Sequence, residues 1–160
     1  MSKKKSATVA PLPEVRVVPI GSVRPAPSNP RVIPSRAVEA VARSLAEFGW
    51  QQPLVVDGNG EILAGHTRLL AAKSLGLAEV PVVDSKDLTP EQARAFRIVD
   101  NRSGDYTTWD YPTLANEIEA LGDDFSDVLG VADWAAIMAD FSASTFDHGL
   151  DETVPEGFDL

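Results

Sequence analysis

The chain of 160 residues contains no cysteine. Disulfides, thiolate zinc sites and cysteine nucleophiles are excluded, and the composition suits a reducing cytoplasm. Histidine is almost as scarce: only His66 and His148 are present, and they do not stand at metal-ligand spacing. No apolar run approaches the roughly 20 residues of a membrane span. The lysines of the opening "MSKKKSATVAPLPE" have no apolar segment behind them, so a signal peptide is not expected. There is no Gly-x-x-x-x-Gly-Lys loop and no Ser-His-Asp order. Basic residues are scarce in the second half: residues 81–160 hold 4 Lys+Arg against 18 Asp+Glu, a net of −14. Residues 1–80 hold 10 against 6, a net of +4, so a phosphate-bearing partner would meet the first half.

What is present suffices for one domain with flexible ends, since 44% of the residues are hydrophobic. Residues 1–13 read as a disordered basic tail. "EVRVVPI", 14–20, alternates as a strand. The segment 21–34 carries Pro25, Pro27, Pro30 and Pro34 and reads as loop. Val38, Val41, Ala42 and Leu45 share one face of a helix starting at Ser35, with Gly49 as its stop. Residues 53–64 read as a hairpin around the turn "GNG". A helix opens at Gly65 and runs to about Leu75, and 80–84 is another strand. Thr89-Pro90-Glu91-Gln92 forms a capping box for a helix reaching about Asp100, which "NRSGD" should break. Asp110 and Pro112 start a helix with Leu114, Ile118 and Leu121 on one face. Trp134, Ile137, Met138 and Phe141 suggest one more, and an acidic flexible tail is expected over 142–160. The fold expected is a small α/β (α+β) domain over 14–105, a mixed sheet with packed helices, followed by a helical extension over 106–141. Trp109, Tyr106 and Trp134 are expected to dock that extension on the core.

Three clusters carry chemistry. In "EILAGHTRLLAAKSLG", 61–76, a glycine sits between a strand and a helix, and His66, Thr67 and Arg68 follow it. The first helical turn has free N–H groups and the positive end of the dipole, and glycine lets an anion approach. Arg68 can grip two phosphate oxygens at once. In "SNPR", 28–31, Asn29 is held extended by Pro30 and Arg31 projects from a loop. In "DNRSGD", 100–105, Asp100 and Asn101 offer oxygen ligands suited to Mg²⁺, and Arg102 is a further phosphate donor. Each cluster also has a plain structural reading, as turn punctuation, loop or helix cap.

Together these clusters, with "SLAEFGWQQPLVV" (44–56) and "VPVV" (80–83), resemble the ParB/sulfiredoxin superfamily, in particular the N-terminal domain of ParB. The variant here looks closest to ParB-like domains found beside DNA methyltransferases and in phage and plasmid genes. The resemblance spans about 14–110 and implies a site for CTP or ATP with Mg²⁺. By motif, Gly65, His66, Thr67 and Arg68 would hold phosphates, Asn29 and Arg31 would close over them, and Asp100 and Asn101 would sit near Mg²⁺; Arg102 is a further phosphate-binding candidate, and Gln52 with Gln51, Trp50 and the 21–34 loop are the candidates for the base. His66-Thr67 replaces the usual Glu-Arg and Asp100 replaces Glu, so binding is expected more than hydrolysis. A basic recognition helix, as in the helix-turn-helix that follows this domain in ParB, is not expected in the acidic residues after 110. The functions implied are a nucleotide-binding domain, slow NTPase or switch in the DNA metabolism of a mobile element; a Mg²⁺-dependent nuclease using Asp100 and Glu61; or an adaptor for a methyltransferase. A cytoplasmic protein, a dimer included among its forms, is implied throughout.

Overall fold

The computed structural model describes residues 13–85, 88–132 and 134. Strands β1 (Val15–Pro19), β2 (Leu54–Val56), β3 (Ile62–Ala64) and β4 (Glu79–Asp84) form one sheet in the order β1-β4-β2-β3. β1 pairs antiparallel with β4, β4 parallel with β2, and β2 antiparallel with β3. The expected α/β class and the hairpin over 53–64 are thus both present. Helix α2 (His66–Ser74) lies in the connection that carries the chain back to β4 beside β2. Past β1 the chain crosses to the far edge, where Arg24 bridges Glu61 in parallel and its carbonyl accepts from Ile62 N at 2.9 Å.

Side-chain alternation decides which face is packed. Val18, Val80, Val82, Leu54, Val56 and Ile62 face Leu69 and Ala72 of α2 in one core cluster, with Ile20, Trp50 and Leu77 packed at its rim. Each such fully buried aliphatic contributes about 1.5–3 kcal/mol. Leu63 points the other way and is equally buried, under α3 (Pro90–Ser103). Helix α1 (Ser35–Phe48) packs on α2 through a half-buried stripe that includes Val38, Val41, Ala42 and Leu45.

The boundaries follow from the punctuation. Gly49 ends α1 at φ 67°, and its N–H donates to Leu45 O. Thr89 and Gln92 close the capping box of α3 reciprocally. α3 does not stop at Asp100 but continues through Ser103. The Asn101 amide donates to Arg97 O at 2.7 Å and Arg102 reaches the Tyr106 hydroxyl at 2.8 Å, so these side chains support the last turn. Helix α4 (Tyr111–Leu121) is capped by Asp110, as expected. A short α5 (Ser126–Leu129) returns to α1, and Phe125 meets Phe48 with ring centroids 6.0 Å apart. Docking of the extension therefore runs through Phe125 and α5. Tyr106 and Trp109 stay mostly exposed, Trp109 packing edge-on against Trp134. The helix expected around Ile137, Met138 and Phe141, and both tails apart from Pro13, lie outside the described residues. Among the described residues no helix is long and apolar enough to cross a membrane.

Candidate functional site

Gly65 adopts φ 101° and ψ 23°, left-handed space open to glycine at little cost. A Cβ there would stand 2.6 Å from Leu54 Cδ2, inside the core. The turn throws the chain from β3 into α2, which no side chain caps at its N-terminus. The N–H groups of its first turn open on a cavity of about 170 Å³. Asn29, Arg31, Gly65, His66, Thr67, Arg68, Asp100 and Asn101 all line it. Three segments far apart in sequence thus meet at one helix N-terminus, the end that favours an anion.

The side chains differ in how they are held. Arg68 Nη1 donates to Gln52 O at 2.9 Å and Pro53 O at 2.7 Å, which anchors the chain entering β2. The same guanidinium is half-buried, and desolvation lowers its pKa while Asp100 raises it; it stays a cation. Arg68 is therefore both a structural brace and a wall of the cavity. Asn29 Oδ1 accepts from Arg31 N at 3.1 Å, an Asx turn that aims Arg31. Arg31 Nη1 reaches across the mouth to Asn101 O at 3.2 Å and Oδ1 at 3.4 Å.

His66 occupies the rear of the turn. Its Nε2 accepts from Ala26 N at 3.4 Å, which requires the neutral ring. Burial and the nearby Arg97 lower its pKa, and Glu61 opposes them. His66 is thus a weak acceptor fixing the 24–28 loop and adds no charge for a phosphate.

Three expected site residues are elsewhere. Glu61 Oε1 accepts from Arg97 Nη2 at 3.0 Å, and it borders a different cavity from Asp100. Arg102 turns to Tyr106, with its guanidinium carbon 5.2 Å from the ring centroid. The Gln52 side chain does not line the cavity, although its carbonyl holds Arg68. The residue that sequence reading missed is Arg97, 5% exposed and the one buried charged residue among the described ones. Its Nη1 also reaches Ser28 O at 3.4 Å. In "QARAFR" it reads as a solvated helix position, and its partner lies 36 residues upstream.

For Mg²⁺ the donor set is sparse. Among the described residues no three acidic or histidine side chains group together, and the Asn101 amide is already engaged. Asp100 alone would hold the ion, which fits a cation bound through one carboxylate and ligand phosphates but not an all-protein cage.

Residues 4–102 match the model of the ParB N-terminal domain. The ParB-like nuclease domain-containing protein YnaK of Escherichia coli K12 is 38% identical over 74 residues, which are 46% of this chain and 85% of YnaK. The chromosome-partitioning protein Spo0J of Thermus thermophilus is 41% identical over 88 residues, 52% of this chain and 32% of that one. Here, then, the similarity spans about a third of the partitioning protein. C-terminally truncated ParB of Caulobacter crescentus, solved with CTP-gamma-S, superposes with a TM-score of 0.63 at 24% identity, over 73% of this chain and 71% of that one. The fold, the matched span and these identities show that the chain belongs to the ParB N-terminal domain family.

Proposed function

We propose that the protein binds a nucleoside triphosphate, CTP or ATP with Mg²⁺, and acts as a nucleotide-gated switch that hydrolyses slowly at most. One observation carries this reading: the uncapped α2 N-terminus faces a cavity where Arg68, Arg31, Asn29 and Thr67 converge from separate segments. Backbone N–H groups of the first turn would take phosphate oxygens, and Arg68 would neutralise their charge. Asp100 would hold Mg²⁺, which supplies screening of the phosphate charge when bound. Arg31 would leave Asn101 for the phosphates and draw the 29–31 loop inward. The Caulobacter neighbour's complex with CTP-gamma-S supports the choice of ligand.

Of the cavity-lining side chains, His66 is a poor general base because its Nε2 is committed to Ala26 N, and Asp100 is assigned to Mg²⁺. The wider setting we assign is the DNA metabolism of a chromosome or mobile element, for which Spo0J and YnaK are the supporting relatives. DNA itself, a second copy of the chain or a methyltransferase are the partners that the resemblance points to. A nuclease reading is weaker, because Glu61 is held by Arg97 away from Asp100.

Calorimetry and thermal shift with CTP, ATP and GTP in Mg²⁺ test the proposal. Saturating CTP or ATP should raise the melting temperature, and Arg31→Ala should remove the shift. Absence of a shift and of binding heat with every nucleotide refutes it.

A further inference from the structure

Arg97 is buried on α3, one turn before Asn101. Asn101 lines the cavity at the α2 N-terminus and Arg97 does not. Yet Arg97 is bonded to three segments that lead into that cavity: the loop at Ser28, the start of β3 at Glu61, and the last turn of α3 at Asn101.

These bonds close into a ring. Arg97 Nη1 donates to Ser28 O, a long contact at 3.4 Å. Next along the chain, Asn29 Oδ1 accepts from Arg31 N at 3.1 Å. Arg31 Nη1 donates to Asn101 Oδ1 at 3.4 Å, and the Asn101 amide donates back to Arg97 O at 2.7 Å. Glu61 anchors the ring to the sheet, its Oε1 accepting from Arg97 Nη2 at 3.0 Å. Stability alone does not call for this arrangement. Arg97 Nε is shut off from solvent with no hydrogen-bond partner, and apolar residues of like volume often serve stability as well as a buried ion pair does. What the two arms of a guanidinium supply, and an apolar side chain does not, is a fixed spacing between two acceptors. Arg94, three residues earlier, borders the same loop at Ser28 and Asn29 and makes no hydrogen bond to it.

We propose that Arg97 is a positioning residue for the nucleotide: through Ser28 and Asn101 it sets where Asn29 and Arg31 stand against the α2 N-terminus, without touching the ligand. The inference rests on the nucleotide reading above and adds the residue that fixes the loop. When Arg31 gives up Asn101 for a phosphate, the ring opens at that bond, and Arg97 still holds Ser28 and Asn101 in register. Without Arg97 the loop spends less of its time in the competent position, and the apparent affinity falls by that fraction.

The test uses the full chain, with Mg·CTP and Mg·ATP as probes. Calorimetry gives the affinity, and hydrogen exchange without ligand follows the amides of 26–31, in wild type, Arg97→Lys and Arg94→Gln. Lysine keeps a cation for Glu61, and so the fold, but offers one ammonium in place of the fork. Arg97→Lys should weaken the preferred nucleotide roughly tenfold. Its exchange should quicken over 26–31 more than over β2 and α2. Arg94→Gln should change neither. Wild-type affinity in Arg97→Lys overturns the proposal and leaves the nucleotide reading standing. Exchange that quickens evenly along the chain also overturns it, since that marks a residue serving stability alone. No binding of either nucleotide to wild type overturns the nucleotide reading and this inference with it. If Arg97→Lys does not fold, Glu61→Gln, which removes the charge that aims Arg97, is read in the same way: unchanged affinity refutes the positioning role.

Discussion

Replacing Gly65 by alanine perturbs the one turn on which the site is built. The residue sits at φ 101°, where an L side chain is strained by about 1–2 kcal/mol. The new methyl would also stand 2.6 Å from Leu54 Cδ2. Leu54 is fully buried and cannot swing into solvent, so relieving the overlap means repacking the core, at about 1–3 kcal/mol. Together these cost about 2–5 kcal/mol, which at this size lowers the melting temperature by roughly 10 °C. The two contributions can be separated. Leu54→Ala alone should cost about 2–5 kcal/mol through its cavity. In the double variant the cavity accommodates the new methyl, so the losses should fall short of additive by about 1 kcal/mol or more. Thermal melts of the four proteins without ligand supply the cycle. A Gly65→Ala melting temperature within about 2 °C of wild type would refute the reasoning. Strict additivity would refute the contact with Leu54 alone.

Three further outcomes are expected. Arg68→Ala should destabilise the nucleotide-free protein by about 1–3 kcal/mol, because it strips donors from two carbonyls; an unchanged urea midpoint would show that the brace is dispensable. Glu61→Ala should cost about 2–3 kcal/mol, below the value for a fully buried pair because Glu61 is partly exposed, since it leaves Arg97 buried and unpaired; Glu61→Gln, measured by the same denaturation, should recover part of this. His66 resists protonation in the folded state, so above its ordinary value of 6.5 the stability is intact, and as pH falls below that value the unfolded chain takes up a proton that the folded one refuses. Urea unfolding of wild type should therefore weaken between pH 7.5 and pH 5 more than that of His66→Gln, and parallel losses would contradict the assignment.

The elements legible in the sequence are those with chemical punctuation. Gly49, Gly65 and the Thr89–Gln92 box announce their boundaries because each fixes a backbone conformation that few other residues supply. The end of α3 was not legible: "NRSGD", 101–105, reads as a breaker, whereas Asn101 bonds back to the Arg97 carbonyl one turn earlier and the tertiary fold brings Arg31 to it. For the site, the phosphate-binding character of 65–68 follows from a glycine before a helix. The Glu61–Arg97 pair does not, since long-range pairing and burial leave no local pattern. Arg68 shows the converse. Its place at the cavity was legible, and its hold on the carbonyls of Gln52 and Pro53 was not, because backbone acceptors are the same in every sequence.

The sheet order also bears on how the chain acquires its shape. Seven of the nine residues in the central core cluster, Leu54 through Val82, come from one continuous stretch of hairpin, helix and strand. β1 joins that stretch through partners such as Val15 and Val83, with a loop of nearly seventy residues to close first. Loop closure of that kind is slow compared with forming the hairpin and helix. Contact order therefore favours the inner unit forming before β1, and β1, exposed along Val15 and Val17, is the strand whose loss leaves most of the core in place.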